Sequence, residues 1–346
     1  MDKRDKGLLM IAFGKSLSPG AIARWCTQAR QYHDAGFSLE QTCRKLGHRN
    51  TTAIQQFSTH LANQMAAGES LTDALRSWPG SMPPLVGPLL EAGESTGRIV
   101  EALEALADSM ERQDKSQKET ARRLAWPLMQ LGLACGIMIL LTVVMGLLPG
   151  AKNSGFDPLG FGLAGFSGGL KMLGVVAVLG LVLFGLIVFL WRARHSAYWL
   201  SVPLLGTARQ LLARARFGEA LGITVGAGLG PRKSLALAVR AADLAPWSDR
   251  LQEGQARLRG GRSWQRVLED WPYLGADWLA ILSVGEESGQ IAEALVRQSK
   301  VDAEDGARNL ARAVSVGAGA AWLTSAGFVI FLIFRIFGSY LSALGV

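Results

Sequence analysis

The segment Gly93-Glu94-Ser95-Thr96-Gly97-Arg98-Ile99-Val100-Glu101-Ala102-Leu103 returns without a gap as Gly285-Glu286-Glu287-Ser288-Gly289-Gln290-Ile291-Ala292-Glu293-Ala294-Leu295, with seven of the eleven positions identical. Such a chain must fold one local unit twice, so its halves cannot be unrelated. Upstream, Gly68-Glu69-Ser70-Leu71 and Trp78-Pro79 correspond to Gly261-Arg262-Ser263-Trp264 and Trp271-Pro272, and Ala35-Gly36 corresponds to Ala227-Gly228. Downstream, each copy passes through a charged stretch into an apolar run, so the duplicated unit is a domain plus a candidate membrane span.

Within a copy the punctuation is helical. Ser18-Pro19 predicts an N-cap with proline in the first helical position, Ser38-Leu39-Glu40-Gln41 a capping box, and Ser70-Leu71-Thr72-Asp73 an acidic variant of it. Gly36, Gly47 and Gly68 stand where helices should stop. Ile54, Phe57, Leu61 and Met65 recur at the spacing of a core-facing stripe. The pattern predicts about six short helices per copy and carries no strand signal.

Three apolar runs fix the surroundings of these domains. Residues 128–148 form an uncharged run of 21, residues 172–191 supply 20 more, and residues 316–334 form a third, diluted by small residues and followed by Arg335. About 20 residues at a rise of 1.5 Å cross a hydrocarbon core of about 30 Å. A hydrophobic content of 49% against 18% charged residues agrees with membrane segments. Lys and Arg number 16 in residues 1–125 and 17 in 192–315, but the connector 149–170 carries Lys152 alone. The positive-inside rule therefore puts both large segments in the cytoplasm. Acidic residues, 14 and 13 in those segments, nearly cancel the basic ones, which argues against nucleic acid as a partner.

The expected organisation is an all-α integral membrane protein with two homologous cytoplasmic six-helix bundles and three transmembrane helices. The bundles are placed at 1–125 and 192–315, and the transmembrane helices at 126–148, 171–191 and 316–338. A periplasmic connector (149–170) and a short periplasmic tail (339–346) complete it. The small residues Gly132, Gly136, Gly174 and Gly180 suit close helix pairing.

The doubled G-E-x-x-G-x-[ILV] signature at Gly93 and Gly285, the aromatic-proline turns before it and the domain-span-span-domain-span order resemble the F-type platform proteins of type II secretion. Counterparts of that family serve type IV pili and competence pseudopili. The resemblance implies a bacterial inner-membrane platform that couples a secretion or pilus ATPase to the assembly of pilin or pseudopilin subunits. It also implies contact with other inner-membrane assembly components, oligomerisation with its own copies, and the lipid bilayer as surroundings.

The signature residues Gly93, Glu94, Gly97, Gly285, Glu286 and Gly289 are the candidate functional positions. A carboxylate near a helix start meets unpaired N–H groups and the positive end of the helix dipole. Glu94 and Glu286 are therefore read as caps for the following helix or as contacts to a partner or cation. No catalytic, cofactor or metal constellation is expected: His33, His48, His60 and His195 are scattered, and Cys26, Cys43 and Cys135 read as structural thiols. The stretch from Gly226 to Ser234 fails as a phosphate loop because Arg232 precedes Lys233 and no strand leads in; Pro231 reads as a helix start. The competing class is a small transporter or channel built on a repeated domain-plus-span unit. Three spans, parallel copies and no ionisable residue at the centre of a span weigh against it.

Overall fold

The computed structural model describes residues 16–49, 52–147, 174 and 205–343. The expected connector and nearly all of the second span lie outside them. Among the described residues every regular element is an α-helix. The first repeat supplies α1 (Pro19–Asp34), α2 (Leu39–Arg49), α3 (Ala53–Ala66), α4 (Leu71–Arg76), α5 (Val86–Thr96) and the long α6 (Ile99–Leu147). The second supplies α7 (Leu205–Gly226), α8 (Pro231–Ala242), α9 (Ala245–Arg259), α10 (Trp264–Leu268), α11 (Ala276–Glu287) and the long α12 (Ile291–Ala343) in the same order.

Local chemistry explains the starts. Ser18 Oγ accepts the Ala21 N–H at 3.3 Å just ahead of Pro19, and Ser38 and Gln41 exchange bonds of 3.2 Å in a reciprocal capping box. Pro231 opens α8. One expected stop is different: α2 runs through Gly47 to Arg49. Gly47 is there for close approach, because a Cβ would lie 2.6 Å from Thr59 Oγ1. A glycine in sequence does not distinguish a left-handed turn from a tight helix crossing.

Residues Met1–Lys118 and Val202–Asn309 form one compact unit, and Glu119–Ser201 with Leu310–Val346 form another. In the first unit, successive helices of each repeat pack on one another and α5 lies against α7 and α8. Its core is aromatic in both repeats. Phe57 sits edge-on to Trp25 and to Trp78, with centroids at 5.3 and 5.4 Å, and Phe217 meets Trp247 at 4.9 Å and Trp271 at 6.0 Å. Burying each such ring is worth about 1.5–3 kcal/mol or more. Ile54, Phe57 and Leu61 are buried as their spacing predicts, and Met65 is half-buried.

The repeats keep the fold while exchanging volume. Gly20 on α1 makes room for Asp114 on α6, whereas at the corresponding positions of the second repeat Leu212 is large and Gly306 gives way. Likewise Cys26 and Val86, both buried, correspond to Gly218 and Trp278; a Cβ on Gly218 would lie 2.7 Å from the Trp278 ring. Close packing leaves little slack, so a gain on one helix is matched by a loss on its neighbour.

In the second unit, the later part of α6 exposes Trp126, Met129, Leu133 and Leu140. The later part of α12 exposes Val316, Trp322, Leu323, Ile330, Phe334 and Phe337. Among the described residues, no helix is long and apolar enough to cross a membrane. Many side chains of the first and third expected spans lie outside that description.

Candidate functional site

Glu94 and Glu286 sit in the last turns of α5 and α11, not at the starts of α6 and α12. Their carboxylates reach back to the N-termini of the short helices α4 and α10. The backbone N–H of Leu71 donates to Glu94 Oε1 at 2.6 Å, and the N–H and Oγ1–H of Thr72 donate to Oε2 at 2.9 and 2.5 Å. In the second repeat the N–H groups of Trp264 and Gln265 donate to Glu286 at 2.6 and 3.2 Å. Serine completes both caps: Ser70 Oγ accepts the Asp73 N–H at 3.0 Å, and Ser263 Oγ accepts the Arg266 N–H at 3.4 Å. The first three N–H groups of each short helix are thus satisfied. Helices of 6 and 5 residues are too short to hold themselves and need such anchoring.

The other signature residues build the turn that aims the carboxylate. Gly97 and Gly289 hold φ of +69° and +70°, a region open to glycine at little cost. In the first repeat the Gly97 N–H donates to Glu94 O at 3.3 Å and the Arg98 N–H to Gly93 O at 2.9 Å, the bond pair of a Schellman cap. Gly93 allows the next helix to cross closely, since a Cβ would lie 2.6 Å from the Ala102 Cβ and 3.1 Å from the Ile99 Cα. At Gly285 the nearest atom is the Ile291 Cα at 3.0 Å. Leu103 and Leu295 are fully buried below the turn.

Two buried acidic centres carry no signature. Asp302 on α12 takes a bidentate bond from Arg214, at 3.0 and 2.6 Å, with further bonds from the Trp278 indole N–H at 2.7 Å and the Gln298 amide at 3.1 Å. Glu219 on α7 accepts from Ser109 Oγ and Arg112, both at 2.8 Å, and so joins the second repeat to α6 of the first. Burial pushes the Glu219 carboxyl upward, against the pull of Arg112, the Ser109 bond and Lys300. The available signal was comparative: the repeat positions of Asp302 and Glu219 carry Met110 and Thr27 in the first copy.

His60 packs on Trp78 and bonds to Ala74 O and Ser77. Among the described residues, no group of three His, Cys, Asp or Glu side chains converges on a point where a metal ion could sit. Cys26 and Cys43 are buried, which raises both thiols, Cys43 to about 12.

The fold and its caps define a duplicated helical protein in which an acid-capped hairpin leads into each long helix. The profile of the family described as Type II secretion system (T2SS), protein F, matches residues 25–147 and 217–338, one stretch for each repeat, and the chain belongs to that family. It is 27% identical over 307 residues to the type II secretion system protein F of Pseudomonas aeruginosa, covering 85% of this chain and 76% of that one. The type II secretion system protein F of Aeromonas hydrophila is 24% identical over 83% of this chain and 77% of its own. The type 4 fimbrial assembly protein PilC of Pseudomonas putida is 25% identical over 80% of this chain and 75% of its own.

Proposed function

We propose that this chain is the inner-membrane platform of a type II secretion or type IV pilus assembly machine. In this reading residues 126–148, 171–191 and 316–338 cross the bilayer, and the two repeats, 1–125 and 192–315, lie in the cytoplasm. The chain oligomerises and passes the motion of a cytoplasmic ATPase to pilin-like subunits in the bilayer. The observation that carries the proposal is the continuity of α6 and α12. Each begins at a Glu-anchored turn in the compact helical unit and runs without interruption into a stretch with exposed Trp and Leu, joined in α12 by Ile330, Phe334 and Phe337. Apolar residues exposed along a helix suit lipid. The relatives named for secretion and for fimbrial assembly support the same role.

Deletion and complementation test it. Loss of the gene should abolish secretion or surface pili while prepilin levels persist, and the wild-type chain should restore assembly. Unimpaired assembly in the deletion strain would exclude the role.

A further inference from the structure

One end of the second repeat has exchanged acids for cations. Where the first repeat carries Glu40, Gln41, Ala66, Glu69 and Asp73, the second carries Arg232, Lys233, Arg259, Arg262 and Arg266. All five cations are exposed. The fold gathers them: the Gln255 amide donates to Arg232 O at 3.1 Å, the Arg257 guanidinium to Arg266 O at 3.3 Å, and the Arg262 N–H to Arg257 O at 3.3 Å. The start of α8 is thereby held to the end of α9, and the end of α9 to α10. Glu253 and Asp270 beside them are engaged by Arg257, at 2.6 and 3.0 Å, and Glu286 is engaged in capping α10. Among the described residues, none of the five cations enters an ion pair. Nor do these charges serve the fold. Arg232 and Lys233 lie in the first turn of α8, where the helix dipole disfavours cations. Gly230 and Lys233 have also replaced Ser38 and Gln41, so α8 lacks the capping box of α2.

We propose that this end of the second repeat docks an acidic segment of a cytoplasmic protein. Unpaired cations on one exposed face select an anionic partner. Lipid is out of reach: α12 starts at this end, beside the Glu286 cap, and the span proposed from residue 316 lies about 37 Å further along the same helix. Nucleic acid lacks a stacking platform, since Trp264, the aromatic side chain of α10, is buried. The matching end of the first repeat of a second copy does not supply the acids, because its Glu40 pairs with Arg44 and its Asp73 with Arg76. The inference rests on the proposed platform topology, which puts this end in the cytoplasm, and adds a partner surface to it.

The test uses the full-length chain in zwitterionic nanodiscs at low ionic strength, with binding of a fluorescent decaglutamate peptide followed by anisotropy. The wild type should bind the peptide and lose affinity as salt rises. The fourfold variant R232E/R259A/R262E/R266D installs the residues that the first repeat carries at these positions, which the same fold already accommodates. Its affinity should fall by at least about tenfold with the thermal midpoint kept. R24E/K45E, which removes exposed cations of the first repeat, should change affinity by less than about twofold. If the fourfold variant lowers the midpoint, R259A/R262A replaces it, with about threefold weakening expected. A wild type that ignores the peptide, unchanged affinity in the folded variant, or an equal loss in R24E/K45E would each overturn the inference. So would tighter binding of an RNA decamer or of phosphatidylglycerol vesicles through the same cations. In cells, the fourfold variant at normal levels should fail to restore secretion or pili to the deletion strain. Full restoration would overturn the inference, whereas an unimpaired deletion strain would instead exclude the platform role on which it rests.

Discussion

Glu94 anchors Leu71: across 23 positions of chain, its Oε1 takes the backbone N–H of Leu71 at 2.6 Å and so ties the start of α4 to the end of α5. Glu286 does the same for Trp264 at 2.6 Å. The repeated glutamate is the cap of a preceding short helix, supplied from the turn that launches a long one.

Removing that cap leaves two backbone N–H groups without their acceptors. Glu94→Ala and Glu286→Ala are each expected to destabilise the chain by about 1–3 kcal/mol. Glu94→Gln should cost less, because one carbonyl acceptor remains. Thermal unfolding of the full chain in detergent checks this, and an unchanged midpoint in Glu94→Ala would contradict it.

The signature glycines should respond unequally to relief. Gly93→Ala places a methyl 2.6 Å from the Ala102 Cβ and should cost about 1–3 kcal/mol; Ala102→Gly should recover part of the loss. Gly285→Ala meets the Ile291 backbone first, at 3.0 Å, so Ala294→Gly should recover little. The comparison of the two double variants by thermal midpoint is the check.

Volume exchange between the repeats predicts coupling. Gly218→Cys forces a side chain against the Trp278 ring, and Trp278→Val opens a cavity and removes an indole donor from Asp302. The first should cost about 1–3 kcal/mol and the second about 3–5 kcal/mol. Together they restore the pair found in the first repeat, so the double variant should be more stable than the sum of the losses implies. Additive losses in a double-mutant cycle would contradict the exchange.

Glu219 gives the interface between repeats a pH dependence. Its carboxyl is raised by burial, so the folded chain holds the proton more tightly than the unfolded one. The contribution is greatest below the ordinary carboxylate range and declines as pH rises from there through the raised value. Thermal midpoints of the wild type relative to Glu219→Gln should fall across that window and level off above it. A difference that rises with pH would reverse the assignment.

The helical framework was legible because caps and stripes are local: Ser18, Ser38 and Ser70 specify their helices within four residues. The repeat was legible because Gly93, Glu94 and Gly97 all serve one turn. The partner of Glu94 was not, since a residue 23 positions away is brought near only by packing of α4 on α5. Gly47 was misread as a stop because its reason is Thr59 on the next helix. Asp302 and Glu219 escaped notice because a buried charge is defined by surroundings that no short motif records.

The placement of both repeats on one side of the membrane is tested most directly by labelling intact cells with a membrane-impermeant maleimide. Single cysteines are introduced at Gln28 and Gln252, both exposed, and at Lys152 in the connector, with Cys135 replaced and Cys26 and Cys43 left buried. The account predicts labelling of Lys152→Cys alone, with Gln28→Cys and Gln252→Cys reacting only after the inner membrane is opened. Labelling of either repeat in intact cells with Lys152→Cys silent would contradict it.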